Sequence, residues 1–310
     1  MSLILTILLL IAGFILLVRG ADYFVDGSVA LAQKLRIPAI VIGLTVVAMG
    51  TSAPEAAISI MSAIKDSDAI VVGNVIGSNI VNILLILGIT VLISNLPIKK
   101  NTMLYEIPFV GFITLLLCGM GLMFGNISRL SAFGLLGLFV LFLGYLYIVS
   151  KYEKTPEIEA KQIGSLKTAL YLIGGLTLLI IGSDLTVDSA IKLARIFGVS
   201  ERIIGITIVA FGTSVPELVT CIVSAIKKQT DIAVGNIIGS NIFNILFVLG
   251  ITGAISPILF KPEFLFDGAF ALLAVAMLML LGYKDMILKR WAGICFLGIY
   301  AIYLALAFTI

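Results

Sequence analysis

The sequence has no histidine, only three cysteines and one tryptophan, and charged residues make up just 12% of its 310 positions. Without histidine, the side chain that most often relays protons at neutral pH and binds transition metals is missing. Cys118, Cys221 and Cys295 are scattered and form no metal-binding or redox spacing. No HExxH or GxSxG pattern occurs either. These absences disfavour an enzyme and a site for a soft transition metal.

The shortage of charge accompanies 61% hydrophobic residues and a mean hydropathy of +1.22. A soluble domain carries about 25% charged residues, so the chain is predicted to be an all-α membrane protein. A helix that spans a bilayer needs about 20 apolar residues, and charged, proline or glycine positions divide the chain into ten such runs. The predicted spans are residues 3–20, 38–64, 69–94, 103–125, 128–150, 167–184, 200–226, 231–256, 263–282 and 288–309. The first run has no preceding Lys or Arg and no cleavage site, so it is expected to be retained.

The spans fall into two halves, residues 1–150 and 167–310, joined by a polar linker at 151–166. Residues 43–90 and 205–252 align without a gap at an offset of 162, and 30 of 48 positions are identical. Five spans per half is an odd number, so the second half must enter the membrane from the opposite side. The sequence therefore predicts two inverted five-helix repeats, an arrangement typical of secondary transporters with a site at the repeat interface.

Lys and Arg distribution predicts the orientation. Odd-numbered loops hold 14 of the 20 basic residues and even-numbered loops hold 6. The positive-inside rule then places the odd loops and the linker 151–166 in the cytoplasm and both termini outside the cell. The predicted location is the plasma membrane. The repeated pairs Asp22 and Asp26, and Asp184 and Asp188, are expected to be loop or gate residues outside the central site.

Each repeat places one glutamate, Glu55 or Glu217, in the middle of a long apolar run. A carboxylate there costs roughly 3 kcal/mol even on the lenient insertion scale, and such residues are functional by default. The other fifteen acidic residues lie in loops or within a turn or two of a span end, where they can reach the interface. Glu55 and Glu217 each follow a proline and a glycine, which are expected to break the helix at the midplane and free backbone carbonyls.

A second repeated block adds Asn74, Ser78, Asn79 and Asn82, which match Asn236, Ser240, Asn241 and Asn244. Asn79 and Asn241 are interpreted as hydrogen-bonding residues between helices. Ser78, Asn82 and their equivalents Ser240 and Asn244 are interpreted as ion ligands with the hydroxyls of the broken turns, and every donor atom is an oxygen. Hard cations such as Ca²⁺ take six to eight oxygen ligands. The predicted site residues from this reasoning are Glu55, Glu217, Thr51, Ser52, Thr213, Ser214, Ser78, Ser240, Asn82 and Asn244.

At the duplicated GTSxPE and GNxIGSN blocks, the chain resembles the cation/calcium antiporter superfamily, and most closely its prokaryotic sodium/calcium exchangers. The resemblance covers essentially the whole chain. It implies that Glu55 and Glu217 are the central ligands, surrounded by the hydroxyls named above and by the backbone carbonyls of Ala48 and Ala210. It also implies that spans 1 and 6 slide past the core to alternate access. Many members carry an aspartate where this chain has Asn244, so this site has two carboxylates.

The resemblance implies exchange of Ca²⁺ for Na⁺ across the bilayer, with no cofactor, no nucleic acid and no protein partner. Ca²⁺/H⁺ antiport remains an alternative because the two glutamates could carry protons. A channel is disfavoured by a complete inverted repeat within one chain. The chain lacks the large cytoplasmic calcium-sensing region of animal exchangers, so regulation of that kind is not expected.

Overall fold

The protein is described by a computed structural model that covers residues 3–65, 67–152, 163–198 and 210–307. These residues form helices joined by short turns, as expected where a backbone in lipid must satisfy its own hydrogen bonds. The helices are α1 Leu3–Leu35, α2 Ala39–Thr51, α3 Ala53–Ile64, α4 Asp68–Ile93, α5 Thr102–Phe124, α6 Arg129–Tyr152, α7 Ser165–Ile196, α8 Ala210–Gly212, α9 Val215–Ile226, α10 Thr230–Ile255, α11 Phe264–Tyr283 and α12 Arg290–Ala307. The strands are β1 Leu96–Pro97, β2 Asn126–Ile127, β3 Ile258–Leu259 and β4 Ile287–Leu288.

Within the described ranges, eight helices are long and apolar enough to cross a membrane. The pair α2 and α3 gives a ninth candidate, broken by a bend of 48°. The predicted seventh span, residues 200–226, is described only from residue 210 onward, as α8 and the 12-residue α9. The chain is thus an all-α membrane protein with eight or nine apolar spans among its described residues, and the count of ten stays a prediction.

The predicted ends of spans 1 and 6 were wrong. Helix α1 has 33 residues and α7 has 32, which makes each about 50 Å long, whereas the hydrocarbon core is about 30 Å thick. Asp22 and Asp26 consequently lie inside α1, and Asp184 and Asp188 inside α7. The acidic residues do not end the helix because α1 and α7 pack together over most of their length.

Glycines bring the backbones of α1 and α7 into contact. Gly13 lies against Gly182, and Gly20 lies against Gly175, so the two helices run antiparallel. A Cβ atom added at Gly175 would lie 2.6 Å from the backbone nitrogen of Phe24 and 2.8 Å from the backbone oxygen of Gly20. Small residues permit this approach, which is the usual way that helices associate in a membrane.

Helices α4 and α10 form the centre of the molecule and are the most buried of the spans. Each contains a π-helical turn, at Val81–Ile86 in α4 and at Asn244–Val248 in α10. The outer helices are tied across the two halves by strand pairs. β1 pairs antiparallel with β4, and β2 pairs antiparallel with β3. Each half therefore contributes one strand to each two-stranded sheet.

We expect Gly175→Ala to destabilise the protein by about 1 to 3 kcal/mol, because its new methyl group meets backbone atoms that cannot move aside. The adjacent Gly174 is the matched control, since a Cβ there meets no atom within 4 Å. Gly174→Ala should be neutral or slightly stabilising, as alanine favours a helix over glycine by up to about 1 kcal/mol. Thermal unfolding of the detergent-solubilised variants measures the difference. Equal melting temperatures for the two variants would contradict close packing of α1 on α7.

Candidate functional site

The two glutamates begin two short helices at equivalent places. Glu55 and Glu217 lie in the first turns of α3 and α9, and each is preceded by a proline near the helix start. Proline is tolerated there because the first N–H groups of a helix have no internal partner. The chain bends at Ser52 and Ser214, two residues before each proline. The helix start also favours a carboxylate, since its free N–H groups carry partial positive charge.

Each glutamate is held by a serine from the other half of the chain. The Ser52 hydroxyl donates to Glu217 Oε1 at 2.8 Å, and the Ser214 hydroxyl donates to Glu55 Oε1 at 3.2 Å. The pattern Ser-x-x-Glu usually makes a capping box within one helix. Here neither serine side chain caps its own helix. The two bent segments are therefore joined reciprocally, and the carboxyl groups of Glu55 and Glu217 lie close enough to interact electrostatically.

Both glutamates are fully buried, with exposed fractions of 1% for Glu55 and 0% for Glu217. The second carboxyl oxygen of each, Oε2, has no hydrogen-bond partner within the described part of the chain. Buried polar atoms without partners are rare in proteins, and an ion-binding site is one place where they occur. Four further oxygens of the predicted set share this condition: Asn82 Oδ1, Asn244 Oδ1, Ser240 Oγ and Thr213 Oγ1. The hydroxyls of Thr186, Thr220 and Ser224 share it too, and they were not among the predicted site residues.

The structure places the remaining predicted residues as follows. Thr51 is buried and donates to Asn236 Oδ1 at 2.9 Å, and the Ala48 carbonyl accepts the N–H of Ser52 at 3.0 Å. In the second half, Ser214 donates its N–H to Phe211, three residues back, in the turn after Ala210–Gly212. Ser78 and Ser240 are buried in α4 and α10. The predicted residues therefore come from both halves of the chain.

The asparagines of the second block link the halves, as expected for Asn79 and Asn241. Asn82 Nδ2 donates to Asn241 Oδ1 at 3.0 Å, and Asn244 Nδ2 donates to Asn79 Oδ1 at 3.2 Å. Asn79 Nδ2 donates to the backbone oxygen of Asn241 at 3.2 Å. Asn236 was not among the predicted site residues, although its position next to the repeated serines was a usable signal.

One expectation about the acidic residues was wrong. Glu106 does not reach the interface, because it is buried in the π-helical turn Thr102–Glu106 and accepts a hydrogen bond from Tyr145 at 2.7 Å. A similar pair joins Asp267 to Tyr303 at 2.9 Å. Position near a span end could not reveal these bonds, since the tyrosines come from the following helices. Among the described residues, no group of three or more His, Cys, Asp and Glu side chains forms a metal cluster, so any ion at Glu55 and Glu217 depends on neutral oxygens as well.

Asp22 and Asp26 lie away from the two glutamates and contact Lys227. Lys227 Nζ is 2.6 Å from Asp22 Oδ1 and 2.7 Å from Asp26 Oδ1. Partial burial would lower the pKa of Lys227, but the hydrogen bonds and charges of the two aspartates outweigh it and raise the pKa. The lysine is therefore protonated at neutral pH, and the ion pairs join α1 to the turn between α9 and α10.

The chain matches the family model described as sodium/calcium exchanger protein over residues 5–148 and again over residues 167–309. The sodium/calcium exchanger MaX1 of Methanosarcina acetivorans is 31% identical over 98% of both chains. The inner membrane protein YrbG of Escherichia coli is 36% identical over 80% of this chain and 79% of that one. Among solved structures, the sodium-calcium exchanger NCX_Mj, soaked with Na⁺ and Sr²⁺, superposes with a TM-score of 0.86 at 32% identity, covering 98% of this chain and 99% of that one.

The chain belongs to the sodium/calcium exchanger protein family. It is a multi-pass membrane antiporter of cations, and the resemblance drawn from its two repeated blocks is confirmed. The bent helices, the paired glutamates and the cross-linked asparagines are thus features of an ion-transport protein.

Removing either of the two serine hydroxyls that bond to a glutamate of the other half should destabilise the protein. Ser52→Ala and Ser214→Ala each leave a buried carboxyl oxygen without its donor, which costs about 1 to 3 kcal/mol. Ser62→Ala is the matched control, because Ser62 is buried in α3 two turns beyond Glu55. Titration with sodium dodecyl sulfate would report the free energy of unfolding. The reciprocal arrangement is refuted if both variants unfold like the control, or if only one of the two is affected.

Proposed function

We propose that the protein exchanges Ca²⁺ for Na⁺ by alternating access, with Glu55 and Glu217 as the central ion ligands. The observation that carries the proposal is a set of buried oxygens with no partner among the described residues: Glu55 Oε2, Glu217 Oε2, Asn82 Oδ1 and Asn244 Oδ1. Each is a ligand that a hard cation accepts. The names of MaX1 and NCX_Mj, which give both ions, support the same assignment.

Charge also favours Ca²⁺ at this site. Two ionised glutamates supply a charge of −2, which one Ca²⁺ neutralises. At about 4 Å and an effective dielectric near 20, each unit-charge pair contributes about 4 kcal/mol. Neutral oxygens from Thr51, Ser52, Thr213, Ser214, Ser78 and Ser240, with the carbonyls of Ala48 and Ala210, would complete the coordination. Binding therefore requires that both halves supply ligands at once.

We infer that the chain is built of two inverted repeats, residues 1–150 and 167–310, joined by the linker 151–166. The two separate matches to the family model support this division. The contacts between connecting segments also support ten crossings, because they join segments on the same side of the membrane. On the side of the odd loops, the contacts are Lys99–Asp231, Lys227–Asp22 and the strand pair β1–β4. On the other side, the contacts are Asp68–Leu259, Arg129–Ile255 and the strand pair β2–β3.

These contacts support one membrane crossing by residues 39–64 and one by the predicted seventh span. Asp231 begins α10 on the side where α7 begins, since Lys167 and Lys227 line one cavity. We therefore infer that α8 and α9 belong to a segment that returns across the bilayer. Together with the excess of Lys and Arg in the odd loops, this supports a cytoplasmic linker and both termini outside a plasma membrane.

We infer that the ion pairs of Lys227 with Asp22 and Asp26 hold the cytoplasmic side closed in this arrangement. Its counterpart at the offset of 162 is Lys65, and the counterparts of Asp22 and Asp26 are Asp184 and Asp188. In the described chain, no ion pair joins Lys65 to either of these aspartates, and all three side chains are exposed. We infer that the ion pairs exchange between the two sides as α1 and α7 move past the core, so that one side is closed at a time.

Proteoliposomes test the exchange directly. Ca²⁺ uptake should follow an outward Na⁺ gradient, whereas uptake that requires an outward H⁺ gradient would assign Ca²⁺/H⁺ antiport instead. Glu55→Gln and Glu217→Gln should each reduce uptake to background, because a single carboxylate leaves Ca²⁺ half neutralised in a buried site.

The exposed Glu263 provides the control for these glutamate substitutions. Glu263→Gln should transport like the wild type. Uptake near wild-type rates by either Glu55→Gln or Glu217→Gln would remove the two-carboxylate site from the mechanism. Ca²⁺ flux without any opposing cation gradient would identify a channel.

Replacing Lys227 should shift the protein towards the state open to the cytoplasm. In Lys227→Met, we expect a several-fold rise in the external KM for Ca²⁺ and a fall in the cytoplasmic KM, because apparent affinity follows the population of the competent state. Lys228→Met is the neighbouring control. Measurements in vesicles of defined orientation decide the matter: KM values that change in the same direction on both sides would argue against a one-sided closing contact.

A further inference from the structure

Four asparagines at the centre of the molecule form two chains of hydrogen bonds that cross between the halves. They are Asn79 and Asn82 from α4, and Asn241 and Asn244 from α10, and all are buried. Each amide carries one oxygen and one nitrogen, which can exchange places by a rotation of the side chain. Only the oxygen can bind a cation, so the direction in which each amide points decides whether it is a ligand.

In the first chain of hydrogen bonds, a backbone oxygen fixes which atom donates and which accepts. The backbone oxygen of Asn241 can only accept, so the atom of Asn79 that lies 3.2 Å from it must be the nitrogen. The other amide atom of Asn79 is then the oxygen, and it lies 3.2 Å from the amide of Asn244. Asn244 must present its nitrogen to Asn79. Its oxygen is consequently left for other partners, and it has none among the described residues.

The second chain of hydrogen bonds contains no backbone acceptor that fixes its direction. Asn82 donates its nitrogen to Asn241 Oδ1 at 3.0 Å, which leaves Asn82 Oδ1 without a partner. Asn241 Nδ2 also lacks a partner within the described segments. The Asn241 side chain could therefore rotate and offer its nitrogen to Asn82, whereas Asn79 could not do the same for Asn244 without losing its bond to the backbone.

The two π-helical turns that carry Asn82 and Asn244 pack against the glutamate-bearing helices. The turn that contains Asn82 packs against α9, which begins near Glu217, and the turn that contains Asn244 packs against α3, which begins near Glu55. Each asparagine thus comes from the opposite half to the helix that its turn contacts. A π-helical turn often marks a functional position in a helix.

We propose that Asn79 and Asn241 are positioning residues that turn the Asn82 and Asn244 amides so that oxygen, and not nitrogen, faces the cation. The proposal rests on the proposed function and deepens it, since it explains how two neutral side chains act as dependable ligands. Asn79 holds Asn244 in one direction only. Asn241 holds Asn82 in a direction that can be reversed.

Double-mutant cycles test the proposal through equilibrium Ca²⁺ binding to the purified full-length protein, measured by calorimetry. Asn79→Ala should weaken binding by about tenfold, because Asn244 can then present its nitrogen to the ion. In an Asn244→Asp background both terminal atoms are oxygens, so direction no longer matters. There Asn79→Ala should change the Kd by less than about twofold or improve it, since the Asn79 oxygen would face a carboxylate.

The second pair gives an independent cycle should Asn79→Ala fail to fold. Asn241→Ala should weaken Ca²⁺ binding in the wild-type background and have little effect in the Asn82→Asp background. Asn82→Asp should also be tolerated better than Asn244→Asp, because Asn241 can rotate to donate to the new carboxylate. Each comparison is made within one background, so the added charge cancels from the coupling.

The outcomes distinguish the positioning role from the proposed function. Equal losses of affinity in both backgrounds, with normal Ca²⁺ binding by the wild-type chain, would overturn the positioning role and leave the proposed function intact. Unchanged affinity in Asn79→Ala and Asn241→Ala would overturn it as well. A wild-type chain that binds no Ca²⁺ would overturn the proposed function, and the positioning role with it.

Discussion

The burial of two carboxyl groups in an apolar helical bundle is the constraint on which the rest of the structure depends. An unpaired charge in such a place is costly, and neither Glu55 nor Glu217 has a basic partner among the ion pairs of the described residues. Each instead accepts one serine hydroxyl from the other half and keeps one oxygen free. The carboxyl oxygens left without partners among the described residues fit the cation site that we propose, where the ion would supply the missing charge.

The same constraint explains why the helices are interrupted where they are. In a continuous helix the backbone N–H and C=O groups would bond to each other. The glutamates would then lie along the helix, away from any free N–H group. Bends at Ser52 and Ser214 place both acids at helix starts, where free N–H groups favour negative charge. Proline at the following positions lowers the cost of the bend because it lacks the N–H that would otherwise be unpaired. Ser52 and Ser214, where these breaks lie, are both buried and bond to the other half.

Coupling between the halves then follows from reciprocal contacts. Every major feature of the site joins one half to the other: the serine–glutamate pairs, the asparagine chains, and the strand pairs at the outer ends. The long helices α1 and α7 contact each other through glycines and lie outside this core. An ion bound at the proposed site would therefore touch both halves, while Lys227 contacts α1 through Asp22 and Asp26 outside this core. That division suits a transporter whose core stays assembled while access changes.

The repeated blocks and the hydropathy were sufficient to predict the helical membrane fold and the family. They also predicted one site that contains Glu55, Glu217, Ser52 and Ser214, because two equivalent buried acids are too costly to keep unless a shared site uses them. Hydropathy located most span ends within a few residues but ended α1 at residue 20 instead of Leu35. The extra turns are held by α7, a partner distant in sequence. Likewise, only the tertiary structure decided that Lys227 pairs with Asp22, that Tyr145 donates a hydrogen bond to Glu106, and that Asn244 donates one to Asn79. Composition and spacing report which atoms are polar and buried, whereas the direction of a hydrogen bond depends on the neighbour that folding brings to it.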